Sequence, residues 1–94
     1  MYLQCRYIKT LVLSPKAYNQ KVGLALCCPI TSRIKGYPFE VLLPKGTAVA
    51  GAILADHVKN LDWRARHAQF KGRAPKRVFE EVLMKISTLL PSDE

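Results

Sequence analysis

The sequence predicts a small, mainly β domain of the α+β class, closed by one amphipathic helix near its carboxy-terminal end. Three observations support this. Short runs of β-favouring residues alternate with closely spaced proline and glycine punctuation. Only the segment after Pro75 keeps apolar residues at helical spacing over several turns. The chain has 94 residues with 49% hydrophobic content, enough for one compact core and no second domain.

The elements follow in order. Ile8 to Leu13 is rich in β-favouring side chains and stops at Ser14-Pro15, because proline has no N–H to donate to a continuing ladder. Ala17 to Gln20 reads as a turn or a single helical turn. Val22 to Cys28 then runs apolar up to Pro29 and reads as a central strand buried on both faces. Thr31 to Gly36 is polar and basic, a loop by composition. Phe39 to Leu43 alternates apolar and charged positions before Pro44-Lys45-Gly46 turns the chain.

Ala48 to Ala55 is small and apolar and continues through His57, Val58, Lys59 and Leu61 as one strand or a bent pair. Arg64, Arg66 and Gln69 interleave with Trp63, Ala65 and Ala68, which places Arg64 and Arg66 on one strand face. Pro75 suits a first helical turn, and Val78, Phe79, Val82, Leu83, Ile86 and Leu90 form the apolar stripe behind it. Glu81 stands four residues before Lys85, so the polar positions of this helix are explained by solvation and its role is packing.

Several classes are excluded by composition. Leu11 to Leu13 and Leu24 to Ile30 fall far short of the roughly 20 apolar residues that a membrane span needs. Met1 to Lys9 holds no apolar run ending in a small-residue cleavage site, so a cytoplasmic protein with no membrane partner is expected. Three cysteines cannot all pair, and the vicinal Cys27-Cys28 would form a strained bridge, so reduced, buried thiols are expected. His57 and His67 have no metal-ligand spacing with the cysteines, and neither metal nor cofactor is expected.

The net charge of +8 is unevenly distributed. Glu80, Glu81, Asp93 and Glu94 hold four of the seven acids. Residues 1–79 therefore carry 14 Lys and Arg against Glu40, Asp56 and Asp62, an excess of +11 that favours a polyanionic partner, above all nucleic acid.

Cutting RNA without a metal requires a base for the 2′-hydroxyl proton, an acid for the leaving oxygen, and donors for the crowded phosphate. Thr31-Ser32-Arg33-Ile34-Lys35-Gly36 supplies two hydroxyls, two cations and a flexible glycine after a strand that can hold them. Taken alone, a Thr-Ser pair in a loop more commonly serves turn chemistry through local backbone hydrogen bonds.

Four segments settle the weighting: Leu11 to Pro15, Pro29 to Ser32, Lys35-Gly-Tyr-Pro-Phe-Glu-Val41, and Ala55-Asp-His-Val-Lys-Asn-Leu-Asp-Trp-Arg-Ala-Arg66. In this order they make the chain resemble the MazF/PemK ribonuclease toxins over Thr10 to about Leu90, with the amino-terminal part missing or replaced. The resemblance implies a small SH3-like barrel or twisted antiparallel sheet of the CcdB/PemK type with a carboxy-terminal α-helix. It implies the toxin component of a type II toxin–antitoxin system, a homodimeric, metal-independent endoribonuclease that cuts single-stranded mRNA to a cyclic phosphate end and so inhibits growth. The partners it implies are RNA, a MazE-like antitoxin, and operator DNA only through the antitoxin complex.

Carried over by residue, Thr31 matches the threonine that stabilises the transition state, and Ser32 a hydroxyl that contacts the phosphate. Arg33, Lys35, His57, Lys59, Arg64 and Arg66 are candidate RNA-binding residues. His57 stands where many members have glutamine, and a histidine on a strand-like segment is also an ordinary structural residue. Trp63 is expected to pack in the core or a dimer contact rather than stack on a base. Arg64 and Arg66 fit an RNA groove, a solvated face or an antitoxin contact equally well.

One departure stands upstream. The family places a Gly-x-Arg-Pro motif just before the Leu-Val-Leu-Ser-Pro strand and gives its arginine the proton-transfer role. Alignment on Ser14 puts Ile8 at that arginine and Lys9 at the proline, leaving Arg6 or Lys9 as the remaining stand-ins. Residues 1–9 thus read as a divergent segment, 10–91 as the toxin-like domain lacking its usual first strand, and 92–94 as a tail. A missing first strand would leave one side of the sheet unpaired. A catalytically impaired chain that only dimerises and binds antitoxin is therefore the alternative function. A topoisomerase-gripping toxin of the same general fold is disfavoured by Thr31-Ser32 and the Asp56 to Arg66 segment.

Overall fold

The computed structural model describes residues 1–46 and 48–91, so the expected tail at 92–94 lies outside the described residues. Its strands are β1 (Tyr2–Cys5), β2 (Ile8–Val12), β3 (Ala25–Thr31), β4 (Glu40–Leu42), β5 (Ala52–Leu54), β6 (Lys59–Leu61) and β7 (Gln69–Gly72). Its helices are α1 (Lys16–Val22) and α2 (Lys76–Ser87). The strands form one antiparallel sheet in the order β4-β5-β3-β2-β1-β7, with β6 also paired to β3. The expected architecture, a twisted antiparallel sheet with a carboxy-terminal helix, is the one observed.

Strand β3 is central because both of its edges are occupied: β2 lies along one, and β5 and then β6 lie along the other. Cys27 and Cys28 point to opposite faces and are both fully buried. One face packs Tyr2, Leu11, Cys28, Val41 and Ile53 against Val78 and Val82 of α2. The other gathers Leu3, Cys5, Val12, Cys27 and Leu61 beneath Trp63. All three cysteines are free and buried, and burial pushes the Cys28 thiol up to about 11.

Several details correct the sequence reading. The chain does not leave the sheet unpaired at its amino-terminal end, because Tyr2–Cys5 forms β1 between β2 and β7. Its hairpin turn, Arg6-Tyr7, lacks the Asn-Gly or Gly-x signature of such turns, so nothing local marks it. Strand β7 has three of its four residues exposed, so no alternating apolar signal marks it either. Val22 ends α1 instead of starting β3, because Gly23 adopts φ +81° and its N–H closes on the Asn19 carbonyl at 3.0 Å.

The bent pair after Ala48 is realised as β5 and β6, joined across a shift of register along β3. Residues 63–67 form turns rather than a strand, so Arg64 and Arg66 do not share a strand face. On α2, Leu83 is exposed, as is Leu90 beyond its end, so the buried stripe is narrower than the spacing suggests. Among the described residues, no helix is long and apolar enough to cross a membrane.

Candidate nucleic-acid interface

Thr31 is the last residue of β3 and is held from both sides. Ala52 pairs with it on one edge. On the other edge, Lys9 opposite Ile30 brings Ile8 to the level of Thr31. The Thr31 hydroxyl oxygen accepts a hydrogen bond from the Arg33 N–H at 3.0 Å. This is the local turn chemistry expected of such a pair. Because a hydroxyl accepts through its lone pairs and donates through its one hydrogen, the bond orients Thr31 while leaving its proton free for a phosphate oxygen.

The loop beyond Thr31 is fixed by a buried acid that sequence reasoning did not single out as a site residue. Glu40 opens β4 with 8% exposure. Its carboxylate accepts the Gly36 N–H at 2.7 Å and the Lys35 N–H at 3.0 and 3.2 Å. The signal was an acid at the start of an apolar strand in a basic chain. Held by their backbone, Arg33 and Lys35 keep their side chains exposed, with no acidic partner among the described residues. The loop is also pinned from α2, where Lys85 Nζ donates to the Pro38 carbonyl at 2.5 Å.

Tyr37 closes the loop by donating its phenolic hydrogen to Asp56 Oδ1 at 2.6 Å. That hydrogen bond, then desolvation and the charges of Asp56 and Glu40, push the phenol up to about 12. A raised folded value means that the neutral phenol is the form favoured by the fold. The anchoring is therefore complete below the ordinary tyrosine value of about 10 and is lost as pH rises toward 12. A difference absorbance titration of the wild type against Tyr37→Phe should show one phenol ionising near pH 12, and ionisation near pH 10 would contradict the anchor.

The remaining candidates are dispersed. His57 lies in the connection between β5 and β6, with Nε2 3.7 Å from Asp56 Oδ1. Lys59 is exposed on β6 opposite Cys27, four residues before Thr31 on the central strand. Arg64 turns away from this line: it lies 5.0 Å from the centroid of the Trp63 ring and donates to the Gln20 carbonyl on α1. Trp63 is half-buried against the second core cluster, with its Nε1–H on the Asn19 carbonyl at 3.2 Å.

Arg66 instead lines a cleft with Arg6, Ile8 and His67. Arg6 is thus brought to the Thr31 end of the sheet but sits in the β1–β2 turn, beyond Ile8. Among the described residues, no group of three or more His, Cys, Asp or Glu side chains could hold a metal ion.

Residues 9–90 match the family model described as PemK-like, MazF-like toxin of type II toxin-antitoxin system. The chain is 44% identical over 87 residues to the endoribonuclease toxin MazF of Escherichia coli K12, covering 93% of this chain and 78% of that protein. It is 34% identical over 85 residues to the endoribonuclease toxin ChpB of the same strain, covering 85% of this chain and 72% of that one. Among solved structures, a MazE-MazF crystal structure from Deinococcus radiodurans superposes with a TM-score of 0.91 at 49% identity, covering 94% of this chain and 89% of that one.

Proposed function

Because the chain belongs to the PemK-like, MazF-like family of toxins, we propose that it is the toxin of a type II toxin–antitoxin pair, a metal-independent endoribonuclease acting on single-stranded RNA. The observation that carries this reading is the placement of Thr31 at the end of the central strand, with Ser32, Arg33 and Lys35 following in a loop fixed by Glu40. The substrate's 2′-hydroxyl loses its proton to water and attacks its own phosphorus, forming the cyclic phosphate as the bond to the 5′-oxygen breaks and that oxygen takes up a proton from water. Thr31 and Ser32 donate to the phosphate oxygens as charge develops, and Arg33 and Lys35 hold the strand by its backbone. His57 and Lys59 extend the path along the β5–β6 edge. Arg64, held against α1, serves the fold.

The family's partners are proposed with it: a MazE-like antitoxin, a second copy of this chain, operator DNA through the antitoxin complex, and a cytoplasmic setting. Exposed Leu83, Met84, Leu89 and Leu90, on and just beyond α2, support a protein-binding face.

The test is incubation of the purified protein with labelled single-stranded RNA in chelator. Cyclic-phosphate fragments are expected, and Thr31→Ala should slow their appearance by about 10²-fold, as loss of one transition-state donor does. Equal rates in the two proteins would remove Thr31 from the mechanism. One observation favours a second reading: Ile8, which has no proton to transfer, stands level with Thr31 where the family has arginine. A wild-type protein that binds antitoxin but releases no fragments would establish that reading.

A further inference from the structure

The β1–β2 turn and the turn after β6 enclose the basic cleft lined by Arg6 and Arg66. We infer that it holds the next nucleotide of the RNA beyond the phosphate at Thr31, with Arg6 and Arg66 on that nucleotide's phosphate and Tyr7 stacked on its base. This rests on the ribonuclease reading above.

The cleft has a volume of about 520 Å³, within the range of ligand-holding cavities. Arg6, Tyr7, Ile8, Arg66 and His67 line it, and no acid does. Among the described residues, neither guanidinium has an acidic partner. Tyr7 is 97% exposed, an aromatic face in water beside two cations. An exposed aromatic ring beside cations is the composition of a sequence-tolerant stacking site for single strands. Ile8 belongs to this cleft and also stands level with Thr31, so the cleft adjoins the proposed scissile site.

Backbone conformation singles out the same place. Arg6 at φ +55° and His67 at φ +53° are the positive-φ non-glycine residues among the described ones, and both line the cleft. The left-handed region is unfavourable for residues with a Cβ, and such residues concentrate at functional sites. Positive φ at the first turn residue but not the second is the pattern of a type II′ hairpin turn, where glycine is the favoured occupant. The chain keeps a cation there instead. Both side chains are exposed, so core packing does not account for either.

Binding is measured on the Thr31→Ala background, which retains the cleft, by fluorescence anisotropy of a labelled single-stranded RNA across a salt series. Arg6→Gly and Arg66→Gln should each weaken binding several-fold and lower the slope of log affinity on log salt by about 0.7, the value for one phosphate contact on a single strand. Arg66→Lys should restore the slope. Tyr7→Ala should weaken binding about tenfold with the slope unchanged, because stacking releases no counterion. Arg6→Gly should also raise Tm, since glycine relieves the turn; a variant that is more stable yet binds less tightly separates function from folding.

Unchanged affinity and slope in Arg6→Gly, Arg66→Gln and Tyr7→Ala, with RNA still bound by the background protein, would overturn the cleft alone. No RNA binding by the background protein, together with no cleavage by the wild type in chelator, would overturn both the cleft and the ribonuclease reading.

Discussion

Replacing Ile8 with arginine is expected to raise the rate of RNA cleavage by about 10²-fold, the lower end of what a positioned proton-transfer group contributes. The ladder gives the reason. Lys9 opposite Ile30 places residue 8 level with Thr31, so a side chain there reaches the same end of the central strand as the proposed phosphate donors. Ile8 is 49% exposed, and a substitution at a half-exposed strand end should change stability by no more than about 0.5 kcal/mol. Initial rates in chelator, for wild type, Ile8→Arg and Ile8→Arg with Thr31→Ala, provide the check. The gain should vanish in the double variant. A folded Ile8→Arg protein with the wild-type rate would show that proton transfer does not occur at this position.

The second large effect concerns stability. Gly51 has φ +120°, and a Cβ placed there would overlap the Thr31 carbonyl oxygen and come within 3.1 Å of its carbonyl carbon. Both objections are to backbone, which cannot swing aside as a flexible side chain would. Gly51→Ala should therefore cost about 3 kcal/mol, from a disfavoured backbone region and a displaced strand end. In a domain of this size that lowers Tm by roughly 10–20 °C. Gly46 provides the contrast: its φ is also positive at +82°, but nothing stands within 4 Å of its added Cβ. Gly46→Ala should cost only about 1 kcal/mol, the intrinsic penalty of the left-handed region. Thermal unfolding followed by circular dichroism separates the two, and equal losses would mean that the close approach to Thr31 is not what constrains Gly51. Cleavage by Gly51→Ala should fall as well, because the overlap moves Thr31 itself.

The legible elements were those with a pattern in their own residues. Val78 and Val82 recur at helical spacing and lie at the core beneath α2. Proline and glycine punctuation located the ends of β2 and β4 to within a residue or two. The illegible elements lacked such a pattern. Tyr2–Cys5 is a short strand with an unmarked turn, and its partner β7 is exposed at three of four positions, so neither announces itself locally. Their pairing with each other makes both elements of the sheet, and that is a long-range fact. Arg64 and Arg66 show the same limit at the site. Alternation suggested a shared strand face, but the turn over 63–67 sends one to the end of α1 and the other into the cleft with Arg6.

The sequence by itself determined the family, the mainly β class with a closing helix, the excess of basic residues, and the hydroxyls and cations of the loop from Thr31 to Gly36 on which the proposed phosphate site rests. Each is a property of residue identity and local spacing, which patterning and punctuation record directly. Only the tertiary structure decided that residue 8 stands level with Thr31, that Glu40 holds the loop through backbone N–H groups, and that Arg6, Tyr7, Arg66 and His67 line one cleft. The physical reason is that strand register and turn conformation join residues far apart in the chain, and backbone hydrogen bonds carry no side-chain signature by which a sequence could announce them.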